Sequence, residues 1–110
     1  MSVAVADNAK VGASILVDGS GRTLYLFEKD QGTTSACLDK CAAAWPAFKG
    51  TPTAGTGVNS SLLSAANGQV TYNGHLLYYF AADRAPGDAN GIGIPAWYTV
   101  GPDGNKVDKD

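Results

Sequence analysis

This chain has few charged residues, a single histidine and no long apolar run. Charged side chains make up 16% of the 110 residues, and the formal net charge is -2. That balance argues against nucleic acid and anionic membrane surfaces as partners. No stretch approaches the roughly 20 apolar residues that a membrane helix needs, so no transmembrane segment is expected. The N-terminus lacks the basic start and apolar core of a signal peptide.

The sequence also lacks the common signatures of enzymes and haem proteins. It contains no G-x-S-x-G, no H-E-x-x-H and no C-x-x-C-H, and one histidine excludes a histidine pair. With no activated nucleophile pattern and no cofactor loop, an enzyme has few parts to work with. We therefore expect a non-enzymatic protein, and nothing in the sequence identifies its ligand.

What the chain does contain is the pattern Tyr-x-Phe-x-x-Asp, present twice. Upstream, Gly-Arg-Thr-Leu at 21–24 parallels Gly-His-Leu-Leu at 74–77. An internal repeat indicates one supersecondary unit used twice. The motif residues are Tyr25, Phe27 and Asp30 in the first copy and Tyr78, Phe80 and Asp83 in the second.

Both faces of each motif strand are apolar when side chains alternate, which predicts central strands covered on each side. The aromatic residues then belong to the core. Asp30 and Asp83 then satisfy backbone N–H groups or a tyrosine hydroxyl where the strand ends. The alternative interpretation makes the two aspartates a carboxylate pair for metal binding or acid–base chemistry.

The predicted fold class is mainly β, with two pseudo-repeated β-hairpin units in an antiparallel sheet arrangement. Asn73-Gly74 between apolar runs is a strong hairpin signal. A single domain is expected over residues 11–107, with tails at 1–10 and 108–110. The repeats are placed at about 11–48 and 66–104.

Two segments between the repeats have helical character. A short helix is predicted near residues 38–45, ended by Pro46. Residues 62–66 could form one further helical turn. The Thr-, Pro- and Gly-rich stretch at 51–57 is expected to be an exposed loop.

These motifs together resemble the bacterial secreted or lipoprotein repeat family named for its Yx(FWY)xxD motif. The resemblance implies an extracytoplasmic location, and it brings no catalytic residues with it. The protein would be periplasmic, secreted or membrane-anchored through a segment outside this sequence. The motifs that carry the resemblance lie at 21–27, 37–46, 72–80, 86–91 and 97–104.

Cys37 and Cys41 allow three interpretations. A local disulfide is plausible, because residues four apart in a helical turn come within bridging distance. A redox pair is less favoured, since the spacing is not C-x-x-C and no βαβ pattern surrounds it. A zinc site would need two further ligands, and His75 is the only histidine. A Cu(I) site needs fewer ligands and stays open.

A metal site elsewhere would draw on His75, Asp83, Asp88 and Asn90. Residues 88–91 resemble the middle of a calcium loop, although the glutamate that completes an EF-hand is missing. An Asx-turn loop is the simpler interpretation of the same residues. His75 is also a possible axial haem ligand.

The expected function is an extracytoplasmic, non-enzymatic binding or structural domain of the bacterial envelope. Its partner would be an envelope protein or a small ligand, and no cofactor is expected. The alternative is a small protein that handles a metal or haem, with calcium, copper or haem as the bound group.

Overall fold

The computed structural model of the protein describes residues 2–107. Short strands dominate this part of the chain, so the prediction of a mainly β fold is confirmed. The helical elements are α1 (Lys40–Ala44) and a 3₁₀ helix (Ser60–Leu62). The strands are β1 (Ser2–Asn8), β2 (Ala13–Asp18), β3 (Tyr25–Phe27), β4 (Thr53–Ala54), β5 (Leu63–Ala66), β6 (Gln69–Tyr72), β7 (His75–Leu76), β8 (Trp97–Val100) and β9 (Lys106–Val107).

The strands form three small sheets, ordered β2-β1-β4, β3-β8-β9 and β5-β6-β7. Within residues 2–107, these strands pair in antiparallel orientation except that β1 and β4 are parallel. Single bridges connect the sheets, and the central one joins Tyr25 to Tyr78. The two motif strands therefore lie side by side in antiparallel orientation.

The two repeats follow one plan and meet at this central bridge. In each, a hairpin (β1–β2 or β5–β6) precedes the motif strand. The N–H of Tyr25 donates to the carbonyl of Tyr78 at 2.8 Å, and the N–H of Tyr78 donates to the carbonyl of Tyr25 at 2.9 Å. This reciprocal pairing is what a two-fold relation between the repeats requires.

The first strand corrects the predicted N-terminal tail. Ser2–Asn8 is β1, and its pairing with β2 runs from Val3 opposite Asp18 to Asn8 opposite Ala13. The tail interpretation failed because alternating Val and Ala is a weak local strand signal, while the stabilising contact is made with a distant partner. Val3 is fully buried in the core. Residue 1 and the predicted tail at 108–110 lie outside the described residues.

The predicted helix is confirmed, although it covers only five residues. It ends before Trp45, because the residue that precedes a proline is forced out of the helical region. The sequence predicted a helical turn at 62–66, and this is wrong for residues 63–66. They form β5, which pairs with β6 through a turn at Asn67-Gly68 with positive φ at both residues. No helix within residues 2–107 is long and apolar enough to cross a membrane.

The core lies on both faces of the motif strands, as the alternation predicts. Tyr25, Leu24 and Leu77 are 0% exposed, and Tyr78 is 1% exposed. One face packs against mainly aliphatic residues and the other against aromatic rings. The mainly aliphatic cluster contains Val3, Leu16, Leu24, Leu26, Phe48, Val70, Tyr72, Leu77 and Val100. The aromatic cluster contains Tyr25, Cys37, Trp45, Leu76, Tyr78 and Trp97.

Candidate functional site

The tyrosine of each repeat donates its hydroxyl hydrogen bond to the aspartate of the other repeat. Tyr25 Oη donates to Asp83 Oδ2 at 2.6 Å, and Tyr78 Oη donates to Asp30 Oδ2 at 2.7 Å. The expected hydroxyl–carboxylate pairing is thus present, and it crosses between repeats. Each carboxylate is bonded to a tyrosine rather than to the other carboxylate.

The second oxygen of each carboxylate holds the loop that follows its own strand. Asp30 Oδ1 accepts from the N–H of Ala36 at 2.6 Å. Asp83 Oδ1 accepts from the N–H of Asn90 at 2.8 Å. Asp83 is 2% exposed, whereas Asp30 is half-buried. The motif aspartates therefore connect a tyrosine of one repeat to a loop of the other.

Burial keeps these phenols neutral. It raises the pKa of Tyr25 well above its usual value, and the hydrogen bond to Asp83 adds to the rise. Burial also raises the pKa of Tyr78 to about 12; Ser35 opposes this shift and Asp30 supports it. A general acid or base works best with a pKa near the operating pH. The motif tyrosines are therefore unsuited to proton transfer at neutral pH.

Four aromatic rings from the two repeats form a continuous stack. Trp45 and Trp97 lie face to face at the centre, with ring centroids 3.7 Å apart and planes 2° from parallel. Phe80 stacks on Trp45 at 4.2 Å, and Phe27 stacks on Trp97 at the same distance. Each outer phenylalanine comes from the repeat opposite to its tryptophan. The stack therefore ties the repeats together.

The disulfide between Cys37 and Cys41 is confirmed. Cys37 is buried against the aromatic cluster. Gly91, which the sequence analysis did not single out, lies against the cluster in the second repeat. Its N–H donates to Tyr25 Oη at 3.1 Å, and a Cβ there would lie 2.7 Å from atoms of Trp45 and Tyr25. Its sequence signal was the Asn-Gly pair at 90–91.

The candidate metal ligands occupy two separate settings. Asp88 Oδ2 accepts from the backbone N–H groups of Arg84 and Ala85, which lower its pKa and form a capped turn. Asn90 belongs to the same loop, whereas His75 begins β7. Within residues 2–107 no three His, Cys, Asp or Glu side chains are grouped to hold a metal ion. The metal site stays a prediction.

His75 contributes to an open cleft of about 420 Å³, called here the His75 cleft. Its lining combines apolar side chains with charged side chains of both signs. The ammonium of Lys106 pairs with the carboxylate of Glu28 and lies over the ring of Tyr98, 4.4 Å from its centroid. The lining residues are Leu26, Phe27, Glu28, Asp30, His75, Asn105 and Lys106.

The equivalent position in the other repeat holds an arginine. Arg22 aligns with His75, Tyr79 with Leu26, and Asp83 with Asp30. The Arg22 guanidinium lies over the Tyr79 ring at 5.3 Å and donates to the main-chain carbonyl of Asp83. The side chain of Arg22 therefore lies in the space that corresponds to the His75 cleft.

A loop also covers the Arg22 side. Thr23 Oγ1 donates to the carbonyl of Asp88 at 2.6 Å, and Asn8 Nδ2 donates to the carbonyl of Gly87 at 3.1 Å. These bonds fasten the loop after Asp83 to β1 and to the segment that precedes β3. The two repeats thus share their motif geometry and differ in what surrounds it.

The family comparison agrees with this two-repeat architecture. A family model described as a secreted repeat of unknown function matches residues 6–49 and 61–100. The first match begins inside β1 and the second inside the 3₁₀ helix, so each includes a hairpin and a motif strand. No curated protein and no solved structure matches the chain. The resemblance inferred from the motifs is confirmed, and the chain belongs to this family of secreted repeats.

Proposed function

We propose that this protein is a non-enzymatic binding domain that acts outside the cytoplasm at the bacterial envelope, and that it binds its ligand in the His75 cleft. The observation that carries the proposal is the contrast between the repeats. The Arg22 position is filled by the protein's own side chain, while the His75 cleft is open.

A non-enzymatic role is supported by how the motif uses its polar groups. The hydroxyls of Tyr25 and Tyr78 and the carboxylates of Asp30 and Asp83 bond to one another and to loop backbone. Groups engaged in this way position the fold. They are not presented to a substrate, and the raised tyrosine pKa values remove a base at neutral pH.

Action outside the cytoplasm is supported by the disulfide and by the family description. Disulfides persist in oxidising compartments and are rare in cytosolic proteins. The Cys37–Cys41 bridge fits the secreted family to which the chain belongs. Both observations favour the envelope over the cytoplasm.

The His75 cleft has the features that small ligand sites share. Such sites combine an apolar lining with a few polar groups that orient the ligand. Here Leu26 and Phe27 supply the apolar part, while Glu28 and His75 supply polar groups. Loops and turns that a rigid scaffold positions are frequent sites of binding.

The proposal is tested by titrating ¹⁵N-labelled protein with a library of fragments that includes cationic, anionic and neutral members. We expect fragments to shift the backbone amide signals of Phe27, Asp30 and His75. The amides of Arg22 and Asp83 at the filled position serve as the internal control and should stay unchanged. A screen in which no fragment shifts the cleft amides would contradict the proposal.

A further inference from the structure

The class of ligand that fits the His75 cleft follows from the other repeat, in which Arg22 fills the equivalent position. This inference rests on the proposed function. We propose that the cleft receives an arginine side chain presented by a partner polypeptide. The protein itself supplies the template, because Arg22 lies at the equivalent position in the other repeat.

The contacts of Arg22 show how a guanidinium is held at this position. It lies over the Tyr79 ring and donates to the carbonyl of Asp83. A planar guanidinium stacks on flat side chains and donates along fixed directions, which suits this combination. In the His75 cleft the corresponding positions hold Leu26, an apolar side chain without a ring, and Asp30.

His75 leaves the cleft open because an imidazole is shorter than an arginine side chain. It stands where Arg22 stands in the alignment, and it lines the cleft instead of filling it. An arginine that enters from outside would take the space that Arg22 takes from within. The cleft is therefore the vacant counterpart of a guanidinium position.

The open side has a carboxylate at one position where the filled side has none. The N–H of Glu28 donates to the carbonyl of Ala96, the residue before Trp97. The N–H of Ala81 donates to the carbonyl of Ala44, the residue before Trp45. Positions 28 and 81 therefore correspond. The cleft thus has a carboxylate where the Arg22 side has a methyl group. Glu28 already attracts the ammonium of Lys106 at the rim. Charge-assisted hydrogen bonds to a carboxylate are stronger than neutral ones.

The experiment titrates the protein with acetyl-Gly-Arg-Gly-amide and with the matched peptide in which neutral citrulline replaces arginine. The readouts are the amides of Phe27, Glu28 and Asp30, and the ring protons of His75, which is the only histidine. We expect saturable shifts with a Kd on the order of 1 mM, because half-exposed ion pairs are weak. The citrulline peptide should bind about tenfold or more weakly, because it lacks the charge.

Variants test whether binding of the arginine peptide requires an open cleft and the carboxylate of Glu28. His75→Arg supplies the arginine internally and should abolish binding, whereas Leu38→Ala, at an exposed side chain outside the cleft, should keep it. Glu28→Gln removes the added carboxylate and should weaken binding several-fold. The amide spectrum of each variant shows directly that it is folded. Equal binding of the citrulline peptide, or unchanged binding in His75→Arg, would overturn the arginine assignment.

Three further outcomes are decisive. If methylguanidinium binds as tightly as the peptide, the partner polypeptide is not needed and that part of the proposal fails. If the arginine peptide shifts nothing while other fragments shift Phe27 and Asp30, the arginine assignment fails and the binding function stands. If nothing shifts these amides, both proposals fail.

Discussion

The two repeats have the same framework and different surroundings. Both motif strands lie in the core, and the tyrosine–aspartate pairs are reciprocal. The loop of the second repeat is fastened to β1 and to the segment that precedes β3, and Arg22 fills the space beside it. The loop of the first repeat is instead tied to itself by the Cys37–Cys41 disulfide, and a cleft stays open.

This difference separates the parts that make the fold from those free to change. The motif tyrosines, the motif aspartates and the tryptophans contact residues of the other repeat, so a change in one repeat disturbs the other. The loops and the residues at the positions of Arg22 and His75 differ between the repeats. The loops can diverge without breaking the shared core. Binding sites commonly arise on such loops.

The largest effect on the shared core is expected from its central ring pair. Trp45→Ala and Trp97→Ala each remove one half of a face-to-face contact and leave a cavity. Each should lower the free energy of unfolding by about 3–5 kcal/mol, the usual cost of removing a buried aromatic side chain. Urea denaturation measures both losses. Leu38→Ala, at a side chain that is 65% exposed, is the control and should change little. Clearly unequal losses for the two tryptophans would argue against a symmetric core.

A smaller effect should distinguish the two tyrosine–aspartate pairs. Tyr25→Phe leaves a buried acceptor at Asp83 without its donor, which should cost roughly 1–3 kcal/mol. Tyr78→Phe affects Asp30, which is half-buried and can be hydrated, so we expect a loss of about 1 kcal/mol. Thermal and urea unfolding of both variants make the comparison. The reverse order would show that exposure of the carboxylate does not set the cost.

The third comparison is a dependence of the free energy of unfolding on alkaline pH. The folded-state pKa of Tyr78 is raised to about 12, above its ordinary value of 10.0, so its stabilising contribution is complete below pH 10. It should be lost between about pH 10 and 12, at up to about 1.4 kcal/mol per pH unit for each such tyrosine. Unfolding measured across this range, with tyrosinate absorbance as the second signal, tests this. Tyr78→Phe should reduce the slope, and an unchanged slope would contradict the assignment.

Local sequence patterns predicted the parts of the fold that depend on neighbours in the chain. Alternating apolar residues identified the central motif strands, and Asn73-Gly74 identified a turn in which both residues have positive φ. The cysteine spacing allowed a disulfide as one interpretation, and the structure contains it. The strand at Ser2–Asn8 was missed, because its stability comes from partners rather than from its own residues.

The sequence by itself determined that one unit is used twice, that its strands are buried and that its cysteines can pair. Only the tertiary structure decided that Tyr25 bonds to Asp83, 58 residues away, and Tyr78 to Asp30, 48 residues away. It also decided that Arg22 fills a space which His75 leaves open. The physical reason is distance along the chain: alternation and turn preference act between neighbours, whereas these contacts form only when the two repeats pack together.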